Sequence, residues 1–177
     1  MGEVGYARTT IKEVCTRAGL SQGGLFRHFA TRLDLIVAAA DAVAIRHAQA
    51  FVEELQGRDG DPLEAALRAA RARCHSPLNS VWHELMLASR TDSALCQAVE
   101  PAVERHRESI SALAEGVIGG QLPPERAQAA IYLVLHCFDG EAMHVNVLSH
   151  AQSEEQRFQW VLATLRAVLA EPLAGGV

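Results

Sequence analysis

The stretch from Thr10 to Leu35 is TIKEVCTRAGLSQGGLFRHFATRLDL, and its pattern decides the fold of the chain. Thr10 and Glu13 have the spacing of a capping box, in which a hydroxyl and a carboxylate satisfy free amides at a helix start. Apolar residues then recur at i, i+3, i+4 and i+7, which predicts a helix with one buried face. That face consists of Ile11, Val14, Cys15 and Ala18. Gly19 suits the left-handed conformation that ends a helix.

A second short helix is predicted directly after a turn at Leu20, whose side chain we expect to plug that turn. Ser21 can cap this helix, which we expect to continue to about Phe29. Thr31 caps a third helix, with Asp34 three residues further on. Two helices joined by a glycine-containing turn are the signature of a helix-turn-helix, whose second helix enters the major groove of DNA. An ordinary helical hairpin with a solvated face has the same spacing and is the alternative.

The predicted second helix carries little side chain on the side opposite its apolar pair, Leu25 and Phe29. Gly23 and Gly24 on that side would let the backbone approach DNA closely. Polar groups at the start of the helix can bond phosphates or base edges. Arg27 can bond guanine in a bidentate way or pair with a phosphate. These residue types therefore favour DNA contact over a plain solvated face.

The literal sequence resembles the DNA-binding motif of the tetracycline-repressor (TetR) family, specifically over Gly5 to about Leu35. Members show a similar run: two threonines, an amphipathic helix, Ala-Gly-(Val/Leu)-Ser, a helix ending in (Tyr/Phe)-x-x-Phe, then Thr and a basic residue. The resemblance implies an all-α, homodimeric, ligand-controlled transcription regulator, usually a repressor, with double-stranded operator DNA and a small-molecule effector as partners. It implies DNA contacts at Thr10, Ser21, Gln22, Gly23, Phe26, Arg27, His28 and Arg32.

The sequence departs from the family pattern in three places. Phe26 replaces the usual tyrosine, so a hydroxyl that would bond a phosphate is missing, and Ala30 replaces the usual proline. The family also places a whole helix before the motif, whereas only eight residues precede Thr9 here. We therefore expect a head that lacks most of its first helix. A dimerisation or partner-binding module without DNA binding is the alternative function.

Charge is unevenly distributed along the 177 residues, which carry a net charge of −5. Residues 1–35 hold five basic and three acidic side chains, a net charge of +2, and the remainder carries −7. A basic head on an acidic body suits DNA contact at one end only. We therefore predict a helix-turn-helix domain at residues 1–35 and a helical effector-binding and dimerisation domain at residues 36–177.

The rest of the chain shows helical periodicity interrupted by loops rich in glycine and proline, which predicts an all-α body. The helices are expected at residues 32–56, 63–75, 78–89, 94–118, 125–148 and 154–171. The last two are apolar on more than one face, as is typical of helices buried on both sides. We predict a homodimer through 125–148 and 154–171; a central place for both helices in the core of the monomer is the alternative.

Neither targeting segments nor reactive cysteine patterns are recognisable. The sequence has no secretory signal and no apolar run of membrane-spanning length, so we predict a cytoplasmic protein without a membrane partner. The four cysteines have no C-x-x-C spacing, and isolated cysteines on apolar faces are usually small buried hydrophobes.

Signatures of catalysis are equally missing from the sequence. It contains no P-loop, no G-x-S-x-G and no paired-carboxylate motif, so we predict no enzyme activity and no cofactor. His136 and His144 lie two turns apart with Gly140 at the i+4 position between them, which disfavours a metal site. The effector is unknown, and each candidate for its pocket is more often a core residue than a pocket residue. The candidates are Cys74, Trp82, Met86, Arg90, Cys96, Val99, His106, Phe138 and Met143.

Overall fold

The computed structural model describes residues 5–56, 60–148 and 151–170, and these residues form eight α-helices and no strand, which confirms the all-α class. In chain order the helices are α1 (Ile11–Ala18), α2 (Gln22–Leu25), α3 (Arg32–Gln56), α4 (Pro62–Cys74), α5 (Pro77–Ser89), α6 (Ser93–Ile118), α7 (Pro124–Leu148) and α8 (Ala151–Ala170). The predicted bounds of α3 to α8 that fall on described residues are exact or differ by one residue, except the start of α8, which lies three residues earlier than predicted. Pro62 and Pro77 begin their helices because the first helical position needs no backbone donor. The predicted last residue of α8, Glu171, lies outside the described residues.

The second helix of the helix-turn-helix is shorter than predicted, since α2 ends at Leu25 and not at about Phe29. Gly23 and Gly24 make up half of this four-residue helix, and glycine costs about 1 kcal/mol relative to alanine inside a helix. Beyond Leu25 the chain continues as a turn, in which the amides of His28 and Phe29 both donate to Leu25 O, at 3.0 and 3.1 Å. The prediction of a regular helix beyond Leu25 was therefore wrong.

Side-chain caps begin the three helices of the head, as the sequence predicts, but the capping box predicted at Thr10 forms only in part. Thr10 N donates to Arg8 O at 3.0 Å, and the Glu13 carboxylate pairs with Arg17 at 2.7 Å instead of accepting from Thr10 N. The Thr10 hydroxyl accepts a hydrogen bond from Glu13 N at 3.2 Å, and Ser21 caps α2 in the same way. At α3 the cap is reciprocal: Thr31 N donates to Asp34 Oδ2 at 2.8 Å, and Asp34 N donates to Thr31 Oγ1 at 3.1 Å. Each capping bond satisfies an amide that has no partner within its own helix.

The turn between α1 and α2 depends on Gly19, which has a φ of 65° and donates its N–H to Cys15 O. Leu20 is 49% exposed, so the prediction that it plugs this turn was wrong; the short helices on either side cover only half of its side chain. Cys15 is the buried residue of α1, whereas Ala18, predicted on the same face, is exposed. The head therefore has very little apolar core of its own.

The described residues pack as two compact units, each with its own apolar core. The first unit combines the described residues up to Gln49 with Ser76–Glu108, and the second combines Ala50–His75 with those from Ser109 onward. The core of the first unit contains Ile36, Ala40, Leu85, Leu95, Val99 and Ala102. The larger core of the second unit contains Leu67, Ala70, Cys74, Val134, Leu135, Phe138, Phe158, Leu162 and Leu165. The predicted boundary at residue 35 separates functions, whereas packing divides the chain after Gln49, His75 and Glu108. The functional boundary therefore stays a prediction.

Among the described helices, α3 is long and apolar enough to cross a membrane by length and composition alone. Ile36 and Ala40 on this helix are 2% and 0% exposed and belong to the core of the first unit. Core helices of soluble proteins meet the same criterion. The composition of α3 is therefore weak support for a membrane protein.

A network of ion pairs joins α4, α7 and α8 in the second unit. The side chain of Glu141 is only 7% exposed, and its carboxylate accepts hydrogen bonds from Arg71 at 2.7 and 2.8 Å and from Arg157 at 3.1 Å. Arg71 also pairs with Glu154 at 3.2 Å. Burial raises the pKa of Glu141, but the hydrogen bonds and charge of Arg71 outweigh burial, so this pKa lies below its ordinary value.

Glu141→Gln should lower the free energy of unfolding by about 2 kcal/mol at pH 7, because charge-assisted hydrogen bonds are lost from a nearly buried site. A carboxylate with a lowered pKa contributes stability above its ordinary value of 4.5 and loses it as the pH falls through the lower folded value. The difference between wild type and variant should therefore be constant near neutral pH and shrink below about pH 4.5. Urea denaturation at several pH values measures both effects.

The matched control is Glu155→Gln in α8, which removes an exposed carboxylate that pairs with Arg68 at 3.0 Å. Exposed pairs are screened by water, so this change should cost less than about 1 kcal/mol. A loss in Glu141→Gln that does not vary with pH would contradict an electrostatic origin.

Candidate DNA-binding site

The head presents a face of exposed side chains along α2 and the turn that follows it. Six of the predicted DNA contacts are exposed residues of this face, and Thr10 is exposed just before α1. The six are Ser21, Gln22, Gly23, Phe26, Arg27 and His28. On the other side of α2, Leu25 is 4% exposed and fastens the helix to the protein. The sequence motif thus places these polar, small and basic residues where a ligand can reach them.

Two adjacent glycines in α2 have different surroundings. A Cβ at Gly23 would meet no atom of the described residues within 4 Å. A Cβ at Gly24 would lie 3.2 Å from the Ser21 hydroxyl, which is the oxygen that caps α2. Packing inside the protein thus explains glycine at position 24 but not at position 23. At Gly23 the surface is open to the close approach of another molecule.

Exposed apolar side chains flank this face. Phe26 is 45% exposed and Leu20 is 49% exposed. The ring of Phe26 has no hydroxyl to donate to a phosphate, but apolar side chains in the major groove can contact the methyl group of thymine. The chemistry of position 26 is therefore suited to apolar contact with bases.

Arg32 differs from the other predicted contacts because its guanidinium faces the protein. Its Nε and Nη2 both donate to Thr9 O at 3.2 Å, Nη2 also donates to Tyr6 O at 3.2 Å, and Nη1 donates to Tyr6 OH at 3.1 Å. The guanidinium carbon also lies 4.6 Å from the centroid of the Tyr6 ring. These bonds engage four of the five N–H donors of an arginine. One N–H donor of Arg32 lies outside these bonds. The predicted contact of Arg32 with a phosphate stays a prediction.

Sequence reasoning missed a second anchor of the head, Glu84 in α5. Its Oε2 accepts a hydrogen bond from Tyr6 N at 2.8 Å. Gly5 has a φ of 77°, and a Cβ there would lie 3.2 Å from the same carboxylate oxygen. No local sequence pattern connects residues that are 78 positions apart, so this contact had no signal in the sequence.

Candidates for the effector pocket fall in both units. In the first unit, Val99 is a core residue, and Trp82 and Met86 pack against that core. The Trp82 ring lies 4.6 Å from the ring of the buried His106, which lies 5.6 Å from the ring of His47. Sequence reasoning missed His47, which is 1% exposed, because nothing but helical spacing in α3 marks it as an inward residue. The first unit thus holds two buried imidazoles and a partly buried indole that packs against one of them.

In the second unit, Cys74 and Phe138 belong to the core. Burial raises the pKa of the Cys74 thiol to about 12, so the thiol stays protonated and unreactive near neutral pH. Three further candidates, one of them in the second unit, are exposed: Arg90, Cys96 and Met143. Exposed side chains do not line a buried cavity, so the exposure of these three residues does not support a place for them in a pocket. A pocket formed by the whole set stays a prediction.

An apolar groove of about 590 Å³ runs along α7 and α8 of the second unit. Leu133 and Trp160 line it and are 60% and 70% exposed. Further along α7, Met143 and Val147 are 55% and 81% exposed. Single exposed apolar residues are ordinary, but contiguous apolar surface marks a site of interaction with another protein or a ligand.

The two histidines of α7 make local contacts. His144 Nδ1 lies 2.7 Å from Gly140 O, one turn earlier, and the His136 ring lies 5.8 Å from the Tyr132 ring. Within residues 5–56, 60–148 and 151–170, no three metal-ligating side chains are grouped closely enough to hold an ion.

Capped short helices, an exposed second helix and an all-α body define a helix-turn-helix protein. Residues 1–39 match the family model described as bacterial regulatory proteins, tetR family. An HTH-type transcriptional regulator of Mycobacterium tuberculosis is 35% identical over 170 residues, which cover 94% of this chain and 87% of that protein. The chain therefore belongs to the tetR family, whose members are transcription regulators and not enzymes.

Two solved structures share the fold. A transcriptional regulator from Pseudomonas aeruginosa PAO1 has a TM-score of 0.72 at 18% identity, over 96% of this chain and 84% of that chain. The multidrug binding protein EbrR, solved in complex with imidazole, has a TM-score of 0.68 at 19% identity, over 99% of this chain and 91% of that chain. At these identities the likeness concerns the fold alone.

Gly23→Ala should leave the free protein as stable as wild type or up to about 1 kcal/mol more stable, because alanine favours a helix and its Cβ meets open space. The same change should weaken DNA binding, because the added methyl group occupies space where the backbone approaches the bases. Thermal unfolding and a fluorescence anisotropy titration with promoter DNA measure the two effects separately.

The control for this variant is Gly116→Ala in α6, where a Cβ also meets open space. It should have a similar effect on stability and none on DNA affinity. Equal DNA affinity in both variants would contradict a close approach of DNA at Gly23.

Proposed function

We propose that this protein is a ligand-responsive transcriptional repressor that binds a palindromic operator as a homodimer. The proposal rests first on the exposed face of α2 and its turn, in a chain that belongs to a family of DNA-binding regulators. The alternative of a partner-binding module without DNA binding gains no support from this face, because small, polar and basic residues are what a DNA groove and its phosphates require. Operator DNA lies in the bacterial cytoplasm, so we place the protein there.

Arg27 is our leading candidate for a base contact. It is exposed, and it has no ion-pair partner among the residues that the structure describes. An arginine at the edge of a recognition helix can bond guanine O6 and N7 together. The net charge of +2 on residues 1–35, against −7 on the remainder, supports an approach to DNA through the head.

The groove along α7 and α8 supports dimerisation through these helices. Leu133 and Trp160 expose most of their apolar surface on the monomer, which favours burial against a second copy over a central place in the core of the monomer. A twofold axis through this interface would give the two heads the same symmetry as a palindrome. Homodimerisation and operator symmetry are therefore two parts of one proposal.

The ligand response is supported by two observations. EbrR, which has the same fold, is a multidrug binding protein that was solved with imidazole. In the present chain, Trp82 packs against the buried His106 beside His47, which places aromatic and polar groups together inside the first unit, and a ligand cavity at this place is part of the proposal. An effector would act by binding one of two conformations more tightly than the other.

A mobility-shift and footprinting experiment on the promoter beside the gene tests the proposal. We expect two protected half-sites that are related by palindromy and centred about 34–36 Å apart, or a multiple of that distance. Arg27→Ala should weaken binding by about 1–3 kcal/mol and relax the preference at one base pair. Arg46→Ala, an exposed arginine of α3 outside the head, is the control and should bind as wild type does. Failure of the wild type to bind any DNA would favour the interaction module.

Leu133→Glu tests the dimer separately. A carboxylate inside the apolar groove would have to be buried in the interface, so the variant should be monomeric at micromolar concentration where the wild type is dimeric. Light scattering after gel filtration measures the mass. Leu87→Glu, at a residue of α5 that is 49% exposed, is the control and should remain dimeric. A monomeric wild type with folded helices would contradict the proposal.

A further inference from the structure

Residues 5–9, which directly precede α1, form a compact turn. Thr9 N donates to Tyr6 O at 3.1 Å, and the Thr9 hydroxyl donates to Gly5 O at 2.7 Å. Thr9 is only 8% exposed. Because Thr10 caps α1, the position of this turn determines where α1 begins.

One side of the turn is bound by Arg32, the first residue of α3. Its guanidinium donates to the carbonyl oxygens of Tyr6 and Thr9, at 3.2 Å each, and lies against the Tyr6 ring. Arginine presents its donors in a rigid planar fork, so it fixes both the distance and the angle of the groups it binds. Arg32 thus fastens the start of α3 to the chain immediately before α1.

The other side of the turn is bound by Glu84 of α5. Tyr6 N donates to Glu84 Oε2 at 2.8 Å, and the Tyr6 side chain packs against the core that contains Leu85. Tyr6 therefore donates to an anion through its amide and accepts from a cation through its carbonyl. Hydrogen bonds to ionised groups are about twice as strong as those between neutral groups, and bonds in a chain polarise one another.

We infer that Arg32 and Glu84 are positioning residues that hold the head at the angle needed for operator binding, acting through Tyr6 and without touching DNA themselves. The inference rests on the proposed function and deepens it by naming what orients the DNA-binding face. The head needs such an anchor because α1 and α2 bury one residue each, Cys15 and Leu25. Two charge-assisted contacts on one residue supply the orientation that so small a core cannot supply.

Variants of Glu84 give a test in which charge and positioning predict opposite signs. Glu84→Ala removes a negative charge from a DNA-binding unit, and electrostatics alone would therefore strengthen binding. The positioning role requires the reverse, a loss of operator affinity of roughly tenfold, because Tyr6 N loses its acceptor. Glu84→Gln keeps an oxygen that can accept this hydrogen bond, so it should restore affinity to within about threefold of wild type.

Variants of Arg32 separate positioning from phosphate contact through the dependence of binding on salt. Each lost phosphate contact reduces the slope of log K against log salt by about 0.9. For a positioning residue, Arg32→Ala and Arg32→Lys should both lower operator affinity roughly tenfold and leave that slope unchanged, because lysine keeps the charge but lacks the planar fork. For a phosphate contact, Arg32→Lys would retain most of the affinity and Arg32→Ala would reduce the slope.

All variants are compared with wild type in anisotropy titrations on the operator at four salt concentrations. Circular dichroism and stoichiometric titration give the folded, active fraction, so affinities refer to folded protein. Tighter or unchanged binding by Glu84→Ala, or a reduced salt slope in Arg32→Ala, would overturn the inference. Absence of DNA binding by the wild type would instead refute the proposed function. That outcome can be told apart from the two variant results that would overturn the inference.

Discussion

The hydrogen bonds from Arg32 to the backbone of Tyr6 and Thr9 are the contact on which the geometry of the DNA-binding head depends. Apolar burial usually fixes the angle between helices, but here α1 and α2 each bury a single residue. Directional hydrogen bonds therefore contribute more to the orientation of α1 and α2 than they would in a domain with a full apolar core. The second unit shows the opposite balance, because nine buried apolar residues form its main core.

Local signals in the sequence predict local structure well in this protein. The caps at Thr10, Ser21 and Thr31 and the left-handed Gly19 depend on neighbours within four residues, and all four lie as predicted. The end of α2 was predicted wrongly, because the apolar pair at helical spacing was given more weight than the two glycines, whose helix-weakening effect can be read from the sequence. The contacts of Arg32 and Glu84 with Tyr6 and Thr9 were missed because these partners are 23 to 78 positions away. Only the folded chain brings such residues into contact.

In the second unit, the ion-pair network and the apolar groove along α7 and α8 share residues. Glu141 and Arg157 belong to the ion-pair network and also line the apolar groove of α7 and α8. Because Glu141 is nearly buried and bonded to arginines on two other helices, it fixes the spacing of the helices that form the groove. A groove with fixed walls loses less conformational entropy when a second molecule covers it. The network is thus suited to keeping the proposed dimer surface preformed.

Helix α5 connects two features of the first unit, the ring group proposed as a ligand site and the anchor proposed for the head. It carries Trp82, which packs against the buried His106, and Glu84, which holds Tyr6 and with it the start of the head. Because both residues lie on α5, an effector that shifted this helix through Trp82 would also shift Glu84. Coupling between effector and DNA sites typically amounts to about 1–3 kcal/mol, or roughly 5- to 150-fold in affinity. A single charge-assisted hydrogen bond is worth about 1.5–3 kcal/mol. The bond between Glu84 and Tyr6 is therefore of the size that such coupling requires, which makes it the contact through which the proposed effector would act.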